Sequence, residues 1–271
     1  MYLEYWKLKR KPFSNTPDPS FYYHSRQHEE ALAKLYYVIS ENDGAGLLTG
    51  MYGCGKTMVA KMLLSQIAGM SIPVVCNVMP EMSSVDLLRT VARAMGYSAP
   101  ATRAELITDA LTEAIENAII SHSTRGRQTV LFVDEAHLIT NPNTWEALRW
   151  ILNLHNNESL LFTLIISGHP ELERQVNEIP QLAQRIAVRC MLGPFDQMDT
   201  ASYIRKRLSV AGSERDIFRD DAISVVYQFS GGVPRKINTI CSSALALGAT
   251  TQRENIDAGT VLEAVKKFAI V

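Results

Sequence analysis

One short glycine-rich run constrains the fold of this chain more than any other feature. The pattern G-x-x-x-x-G-K-[ST] is matched at every fixed position by Gly50-Met-Tyr-Gly-Cys-Gly-Lys-Thr57. The run follows an apolar segment that ends at Thr49 and precedes a helical pattern that begins near Lys56, which is the strand–loop–helix context that the pattern requires. It therefore predicts a phosphate-binding loop for a nucleoside triphosphate within an α/β fold.

Each part of this loop has a chemical reason. Glycines let the backbone curl so that successive N–H groups point at phosphate oxygens, and the following helix adds the positive end of its dipole. Lys56 supplies a positive charge for the β- and γ-phosphates, and the Thr57 hydroxyl is a ligand for Mg²⁺. We expect nucleotide contacts from the whole loop, namely Gly50, Tyr52, Gly53, Cys54, Gly55, Lys56, Thr57 and Met58.

A second chemical signal is a buried-type strand that ends in two acids, in the run Val130-Leu-Phe-Val-Asp134-Glu135. In phosphate-loop proteins the first acid at this position holds Mg²⁺, and a carboxylate beside it is suited to polarise the attacking water. We therefore expect Asp134 to be a metal ligand and Glu135 to be the catalytic base. The tetrad Asp-Glu-Ala-His also occurs in helicases, but the other helicase motifs are missing from this sequence.

Composition excludes several other classes of protein. Lys+Arg 27 against Asp+Glu 28 gives a formal net charge of -1, which excludes a polyanion binder held by bulk positive charge. No apolar stretch approaches the ~20 residues of a membrane-spanning helix, and the N-terminus lacks an apolar signal core. The four cysteines, Cys54, Cys76, Cys190 and Cys241, lie far apart without metal-ligand spacing. We expect reduced thiols and a cytosol-like compartment.

The positions of glycine and proline and the spacing of apolar residues divide the chain into three predicted parts. Residues 1–25 are rich in aromatics and prolines, a composition that cannot form a regular helix and that we expect to wrap across the body of the protein. Residues 26–196 alternate helical patterns with short β-branched runs, which is typical of a parallel sheet with helices on both faces. Residues 197–271 contain helical patterns only and predict a small all-helical lid domain.

The predicted elements follow from these patterns. Strands are predicted at 46–49, 72–76, 129–133, 160–166 and 187–192, and helices of the sheet part begin near Gly55, Ser83, Thr102 and Asn143. Lid helices are predicted at 199–211, 220–229, 234–247 and 257–268. Their predicted N-caps are Thr200, Asp220 and Asp257, and their predicted stops are Gly212 and Gly231-Gly232.

Further stretches add to the loop, the acidic strand and the helical lid. They are Met1-Tyr-Leu-Glu-Tyr-Trp, Lys11-Pro-Phe-Ser-Asn-Thr-Pro-Asp-Pro19, His28-Glu-Glu-Ala-Leu32, Ser167-Gly-His-Pro-Glu-Leu172, Gln184-Arg-Ile186 and Gly231-Gly-Val-Pro-Arg-Lys-Ile-Asn238. With them, nearly the whole chain resembles the ExeA (general secretion pathway protein A) family of AAA+ ATPases, whose shorter members include the pilus-biogenesis ATPase MshM. His169 replaces the glutamine of that family's G-Q-P-E-L stretch. The resemblance implies a P-loop AAA+ fold with ATP and Mg²⁺ as cofactors.

The resemblance also implies roles for single residues. Ser167 would lie at the tip of a strand between the loop and the acidic strand, where it would sense the γ-phosphate. Arg185 would be an arginine finger that reaches the γ-phosphate of a neighbouring subunit, with Arg189 as the reserve candidate. Arg235 would be a second sensor that couples nucleotide state to the position of the lid. His28, together with the N-terminal segment, would enclose the adenine base.

Two functions of different classes compete. The leading hypothesis is a Mg²⁺-dependent ATPase that forms a ring or filament and assembles or remodels a secretion or pilus complex of the envelope. The alternative is a DNA-associated ATP switch similar to TnsC-type transposition regulators, which the basic cluster Arg205-Lys206-Arg207 favours; salt-dependent DNA binding would separate the two. A third hypothesis, a nucleotide-bound scaffold without hydrolysis, is opposed by the presence of Glu135 and Arg185.

The resemblance has one exception that bears on localisation. Longer secretion members of the family continue into a transmembrane helix and a periplasmic peptidoglycan-binding domain, and we expect neither in this sequence. The implied location is therefore cytoplasmic, with recruitment to the inner membrane by a partner.

Overall fold

The computed structural model describes residues 2–97, 104–154 and 162–268. These residues divide into two units by their internal contacts. The first, called the sheet unit below, comprises Gln27–Gly50 and Val59–Leu192. The second, called the helical unit, comprises the described residues of Met1–Arg26, Met51–Met58 and Gly193–Val271.

Strands and helices alternate through the sheet unit, whereas the helical unit has helices and an isolated bridge between Phe218 and Ile256. The described strands are β1 (Ala45–Gly50), β2 (Ser71–Asn77), β3 (Gln128–Asp134), β4 (Phe162–Gly168) and β5 (Ile186–Leu192). The described α-helices are α1 (Tyr2–Tyr5), α2 (Arg26–Ser40), α3 (Lys56–Ile67), α4 (Ser84–Ala94), α5 (Ala104–Thr124), α6 (Pro142–Leu152), α7 (Glu171–Asn177), α8 (Pro180–Ala183), α9 (Gln197–Val210), α10 (Asp220–Ser230), α11 (Pro234–Thr250) and α12 (Ala258–Lys267). Short 3-10 helices lie at Pro19–Phe21 and Ala136–Leu138.

The five strands form one parallel sheet with the order β2-β3-β4-β1-β5. The strands β1 and β4 consist of buried residues throughout, and β3 nearly so, because a parallel sheet in this class is covered by helices on both faces. The predicted α/β fold with a parallel sheet flanked by helices is therefore confirmed.

Side chains that alternate along the strands fill apolar layers on both faces of the sheet. On one face, Leu131 lies in a buried cluster with Leu87 of α4 and Leu148 of α6. On the other face, α2 approaches β1 so closely that a Cβ on Gly46 would lie 2.8 Å from the Leu35 Cδ2 atom. The sheet is thus buried between helices, and its strand ends are the places where polar groups reach the surface.

The strands lie within one or two residues of their predicted positions. Two predicted boundaries, Leu160 and Thr102, fall outside the described residues. The structure adds α2, α7 and α8, which the sequence patterns did not indicate. The helices α7 and α8 have 7 and 4 residues, which is too short for a helical period to be read from the sequence.

The N-terminal segment belongs to the apolar core of the helical unit. Trp6, Phe13 and Phe21 are buried in one cluster with side chains of the lid helices, and the Trp6 indole N–H donates to the Leu245 carbonyl oxygen at 2.9 Å. The prediction that this segment contains no regular helix is wrong for Tyr2–Tyr5. These residues precede the first proline and therefore keep the N–H donors that a helical turn needs.

A buried arginine on α9 ties the segment to the lid. The Arg207 side chain is inside the helical unit, where its Nε atom donates to the Pro12 carbonyl oxygen at 2.5 Å and its Nη2 atom to the Ser14 carbonyl oxygen at 3.0 Å. Its guanidinium also lies over the Phe21 ring, 4.6 Å from the centroid. Charge-assisted hydrogen bonds of this kind hold irregular backbone that has no partner strand.

Helix caps agree only partly with those predicted. Asp257 caps α12 by accepting from the Thr260 N–H at 2.8 Å, as predicted. The predicted cap Thr200 is wrong, because Asp196 accepts from the Asp199 N–H and begins α9 earlier. Asp220 is likewise the first helical residue of α10 and not its N-cap.

The four cysteines are free and buried, and burial raises the pKa of the Cys76 and Cys190 thiols to about 11. Within the described ranges, the structure contains no helix with the length and apolar character needed to cross a membrane.

Replacing Trp6 by alanine should destabilise the helical unit. The ring is 2% exposed, so the change opens a cavity and removes the hydrogen bond to the Leu245 carbonyl oxygen. We expect the free energy of unfolding, measured by denaturant titration, to fall by about 3–5 kcal/mol. The control is Tyr37→Ala on the exposed side of α2, which should change it by less than about 0.5 kcal/mol. Equal losses in the two variants would contradict a core role for the N-terminal segment.

Candidate functional site

The carboxyl ends of three adjacent strands bring the predicted acids and Ser167 to one edge of the sheet. β4 lies between β3 and β1, and Ser167 pairs in register with Leu48 of β1. Val133 of β3 pairs with Ile166 of β4, so Asp134, the last residue of β3, lies beside Ser167. β1 ends at this same edge with Gly50, from which the chain enters the phosphate loop.

The phosphate loop turns back on itself before α3 begins. Gly53 and Gly55 have φ angles of +82° and +100°, a region that residues with a side chain rarely adopt. Lys56 is the first residue of α3, and its Nζ atom lies 3.4 Å from the Met51 carbonyl oxygen and 5.7 Å from the centre of the Tyr52 ring. The loop therefore combines a tight turn, a helix N-terminus and a lysine, which together suit a phosphate group.

The first turn of α11 lies against this loop. The Arg235 N–H donates to the Gly53 carbonyl oxygen at 3.3 Å. A Cβ on Gly53 would lie 2.7 Å from the Arg235 Cβ atom and 3.2 Å from the Val233 Cγ1 atom, so only glycine fits this position. The exposed Arg235 side chain thus starts beside the loop, which is the neighbourhood that the sequence predicts for it.

The two acids at the end of β3 differ in environment. Asp134 is buried, and its Oδ1 atom accepts the Glu135 N–H at 3.0 Å. Glu135 has φ 55° and ψ 32°, the left-handed conformation, which is uncommon for a residue with a side chain and costs free energy. Its side chain is 38% exposed. One carboxylate is therefore fixed in the sheet edge, and the next is turned outward toward solvent.

His137 is a residue of this site that the sequence reasoning missed. Its side chain is 2% exposed, and its Nδ1 atom lies 3.4 Å from the Glu135 Oε2 atom. The same Nδ1 atom lies 3.3 Å from the backbone nitrogen of His169, which follows β4. The signal was present in the Asp-Glu-Ala-His tetrad, but the sequence does not reveal that this histidine points back at the preceding glutamate.

Ser167 is fully buried in β4, and its hydroxyl has no hydrogen-bond partner among the described residues. A buried hydroxyl without a partner carries a desolvation penalty. Such a group at a strand end beside the acids is suited to bind a polar ligand that the protein alone does not provide.

Arg185 lies at the opposite end of the strands from Asp134 and Ser167. It immediately precedes β5, whose first residue, Ile186, pairs with Ala45 at the start of β1. Since a strand rises about 3.3 Å per residue and Arg185 lies level with the residue before Ala45, it is roughly 20 Å from the carboxyl end of β1. Its Nη2 atom donates to the Asn153 Oδ1 atom at 3.0 Å, just beyond α6.

The reserve candidate Arg189 has a different setting. It lies in the middle of β5, where its guanidinium donates to the Asn177 Oδ1 atom at 3.0 Å and lies 3.7 Å from the Glu173 Oε1 atom. These partners hold Arg189 against α7, whereas Arg185 donates to two neutral groups, the Leu152 carbonyl oxygen and the Asn153 side chain.

A second arginine lies near Arg185. Arg185 and Arg149 of α6 both line an open pocket of about 410 Å³, whose other polar residues are Asn153, Gln181 and Gln184. Arg149 also pairs with Glu146 at 2.5 Å and donates to Gln181. No sequence pattern marks Arg149, because it is one of many charged residues on amphipathic helices.

The remaining predicted site residues are placed as follows. Thr57 is exposed and Met58 half-buried in the first turn of α3, whereas Cys54 is fully buried, and that burial raises the pKa of its thiol. His28 is buried in α2 of the sheet unit. Its contact with adenine stays a prediction.

Sequence comparison identifies the family. A family model described as "AAA domain" matches residues 39–176. The chain is also similar to general secretion pathway protein A of Aeromonas hydrophila, with 36% identity over 249 residues, which is 90% of this chain and 44% of that protein. The chain thus spans less than half the length of this relative.

Comparison with solved structures agrees with the fold. The Aeropyrum pernix ORC2 protein, in its ADPNP and ADP complexes, has a TM-score of 0.73 with 14% identity, covering 96% of this chain and 72% of that one. The Aeropyrum pernix ORC1 protein in complex with DNA has the same TM-score with 18% identity, covering 97% and 70%. With the phosphate loop, the acidic strand end and the family match, the chain belongs to the AAA+ ATPases, as an ExeA-like member.

Proposed function

We propose that this protein hydrolyses ATP with Mg²⁺ at the carboxyl edge of the sheet, with an arginine from a neighbouring subunit completing each site. The observation that supports the proposal most strongly is the strand order. It puts Asp134, Glu135 and Ser167 at the edge from which β1 leads into the phosphate loop.

The loop binds the triphosphate. Backbone N–H groups from Gly50 to Met58 and the N-terminus of α3 face the phosphate oxygens, and Lys56 neutralises the β- and γ-phosphates. The donor set suits Mg²⁺, because a hydroxyl and a carboxylate are the oxygen ligands that this ion takes beside phosphates and water. Thr57 and Asp134 would hold the ion, which supplies positive charge to the phosphates when bound.

The outward-turned carboxylate is the base of the reaction. Glu135 accepts a proton from the attacking water, a role for which its exposure to solvent is needed. The unpartnered hydroxyl of Ser167 donates to the γ-phosphate or to the attacking water. ATP thereby supplies the hydrogen-bond partner that the described residues do not give this hydroxyl.

The arginine finger acts between subunits. Arg185 is roughly 20 Å from the carboxyl end of β1 in its own chain, so its guanidinium is available to a neighbouring subunit and not to the carboxyl edge of its own sheet. A positive charge on the γ-phosphate stabilises the transition state. Arg149 lines the same pocket but pairs with Glu146 of its own helix, so Arg185 carries the proposed role. The assembly is therefore a ring or filament in which each subunit completes the next site.

Arg235 links nucleotide binding to the lid. Its backbone N–H already contacts the phosphate loop at Gly53, so a phosphate held in that loop lies within the neighbourhood of the Arg235 side chain. Loss of the γ-phosphate removes a contact to the Arg235 side chain, and α11 thereby responds to the state of the nucleotide.

The physiological target is an envelope secretion or pilus-assembly complex, which the similarity to general secretion pathway protein A supports. The DNA alternative loses its main observation. Arg207 of the basic cluster is buried and holds the N-terminal segment, and Arg205 pairs with Asp220 at 2.6 Å. The cluster therefore does not form a continuous cationic surface.

Lys56→Ala and Glu135→Gln should lose activity for different reasons. Lys56→Ala removes the phosphate charge and should weaken ATP binding. Glu135→Gln keeps the shape but removes the base, so ATP should bind normally while kcat falls by about 10²–10⁴-fold. A fluorescent ATP analogue and a phosphate-release assay measure the two effects, and Lys61→Ala on the same helix is the control. Turnover at the normal rate by Glu135→Gln would refute the assignment of the base.

Ser167→Ala should separate activity from stability. The hydroxyl has no partner in the part of the chain that the structure describes, so its removal should leave the thermal midpoint equal or higher, while kcat falls on the order of 10²-fold. The matched control is Thr163→Val on the same strand, where the hydroxyl accepts from Gln128 at 2.5 Å. That variant should lose stability and keep kcat. A lowered midpoint with normal kcat in Ser167→Ala would contradict its role.

Mixing two inactive variants tests the trans arginine. Arg185→Ala and Glu135→Gln subunits together form some interfaces that have a normal Arg185 on one side and a normal Glu135 on the other. Because a finger contributes about 10³–10⁵ in rate in related systems, ATP hydrolysis should reappear on mixing and each variant alone should stay nearly inactive. Absence of recovery where mixed oligomers form would exclude Arg185, and the Arg189→Ala variant takes its place in the same assay.

A further inference from the structure

We infer that His137 is a positioning residue, which orients the Glu135 carboxylate and links it to the end of β4. The inference rests on the proposed role of Glu135 as the base. It concerns a residue to which the phosphate loop, the acidic strand end and the arginine finger assign no part.

The contact between the two side chains is direct. The His137 Nδ1 atom lies 3.4 Å from the Glu135 Oε2 atom, and the histidine side chain is 2% exposed while that of the glutamate is 38% exposed. A partly exposed carboxylate on a rotatable side chain has many orientations. The buried Nδ1 atom of His137 beside the Glu135 Oε2 atom restricts the orientations of this carboxylate.

The same nitrogen also faces the end of β4. His169 follows Gly168, the last residue of β4, and its backbone N–H donates to the His137 Nδ1 atom at 3.3 Å. One ring nitrogen carries either a proton or a lone pair. It therefore either donates to Glu135 or accepts from His169, but not both at once. The orientation of Glu135 is in this way tied to the backbone that follows Ser167.

The histidine ring has little room to move. A Cβ on Gly168 would lie 3.1 Å from the His137 Nδ1 atom, 3.2 Å from its backbone nitrogen and 2.8 Å from the Leu172 Cδ2 atom. Gln175 of α7 donates to the His137 carbonyl oxygen at 3.1 Å. The His137 ring can thus lie between the ends of β3 and β4 because residue 168 is a glycine.

Glu135 needs such a support because its backbone is strained. Its φ of 55° turns the residue away from the strand, and the 3-10 helix Ala136–Leu138 follows at once. This turn brings residue 137 back beside residue 135. The left-handed backbone of Glu135 and its contact with His137 therefore together set the direction of the carboxylate.

A purely structural role makes a different prediction from a positioning role. If His137 only fills space, the larger replacement glutamine should be tolerated better than asparagine. If the Nδ1 position matters, asparagine should be the better replacement, because its amide lies near the position of Nδ1, whereas the amide of glutamine lies near that of Nε2.

The experiment compares His137→Asn and His137→Gln in the full chain. We measure kcat and KM for ATP together with the affinity for a fluorescent ATP analogue. Since small displacements of a catalytic group cost up to about 10²-fold, we expect His137→Gln to lose about 10- to 100-fold in kcat with unchanged nucleotide affinity. His137→Asn should stay within about threefold of the parent protein. The reverse order of the two variants would overturn the inference.

Two further variants keep the test decisive if a substitution at 137 disturbs folding. Gly168→Ala leaves His137 in place but crowds its Nδ1 atom, and should also lower kcat without weakening ATP binding; normal kcat would count against the inference. The matched control is His122→Gln, a histidine whose Nδ1 atom contacts Thr129 near the opposite end of β3 at 2.8 Å. It should leave kcat unchanged.

A double variant separates failure of this inference from failure of the proposed function. In a Glu135→Gln background, His137→Gln should lower the residual rate no further, because its effect acts through the lost carboxylate. An additional loss of the same size would overturn the inference. If Glu135→Gln itself hydrolysed ATP normally, the proposed base would fail. If Glu135→Gln is inactive while His137→Gln is normal, only the role of His137 fails.

Discussion

The parallel pairing of β1, β4 and β3 is the constraint on which the candidate site depends. Backbone hydrogen bonds fix the register in which Ser167 lies beside β1 and Asp134 ends beside Ser167. Because side chains alternate between the two faces of a strand, a slip of one residue in β4 would turn Ser167 to the other face. The apolar layers on both faces oppose such a slip. Packing far from the polar residues therefore determines where they lie.

In the helical unit, packing likewise fixes the position of the irregular N-terminal segment. The N-terminal residues supply aromatic side chains to the core beneath the lid helices, and the buried Arg207 binds their backbone carbonyl oxygens. This unit also contains the contact between Gly53 of the phosphate loop and Arg235 of α11. Residues from three distant parts of the chain thus belong to one compact unit.

The polar groups are divided between the two edges of the sheet. Carboxylates and the unpartnered Ser167 hydroxyl lie at the carboxyl edge, whereas Arg185 and Arg149 lie near the amino edge. Separation along the strands keeps these opposite charges from neutralising each other within one chain. In the proposed assembly, the amino edge of one subunit meets the carboxyl edge of the next. The attraction between them then stabilises the assembly and the transition state together.

The sequence by itself determined the tight glycine-rich turn before α3, the end of β3 at Asp134, the parallel α/β class and the helices after β5. Each of these rests on local spacing: a glycine pattern, β-branched runs and helical periodicity. Its capping prediction at Asp257 is confirmed for the same reason. Only the tertiary structure decided what depends on approach between distant segments. It buried Arg207, which a basic cluster suggests is exposed, and it turned His137 toward Glu135 through a left-handed residue. It also buried the Ser167 hydroxyl without a hydrogen-bond partner from residues 2–97, 104–154 or 162–268. Hydrogen bonds and packing across the fold set these features, and no local pattern encodes them.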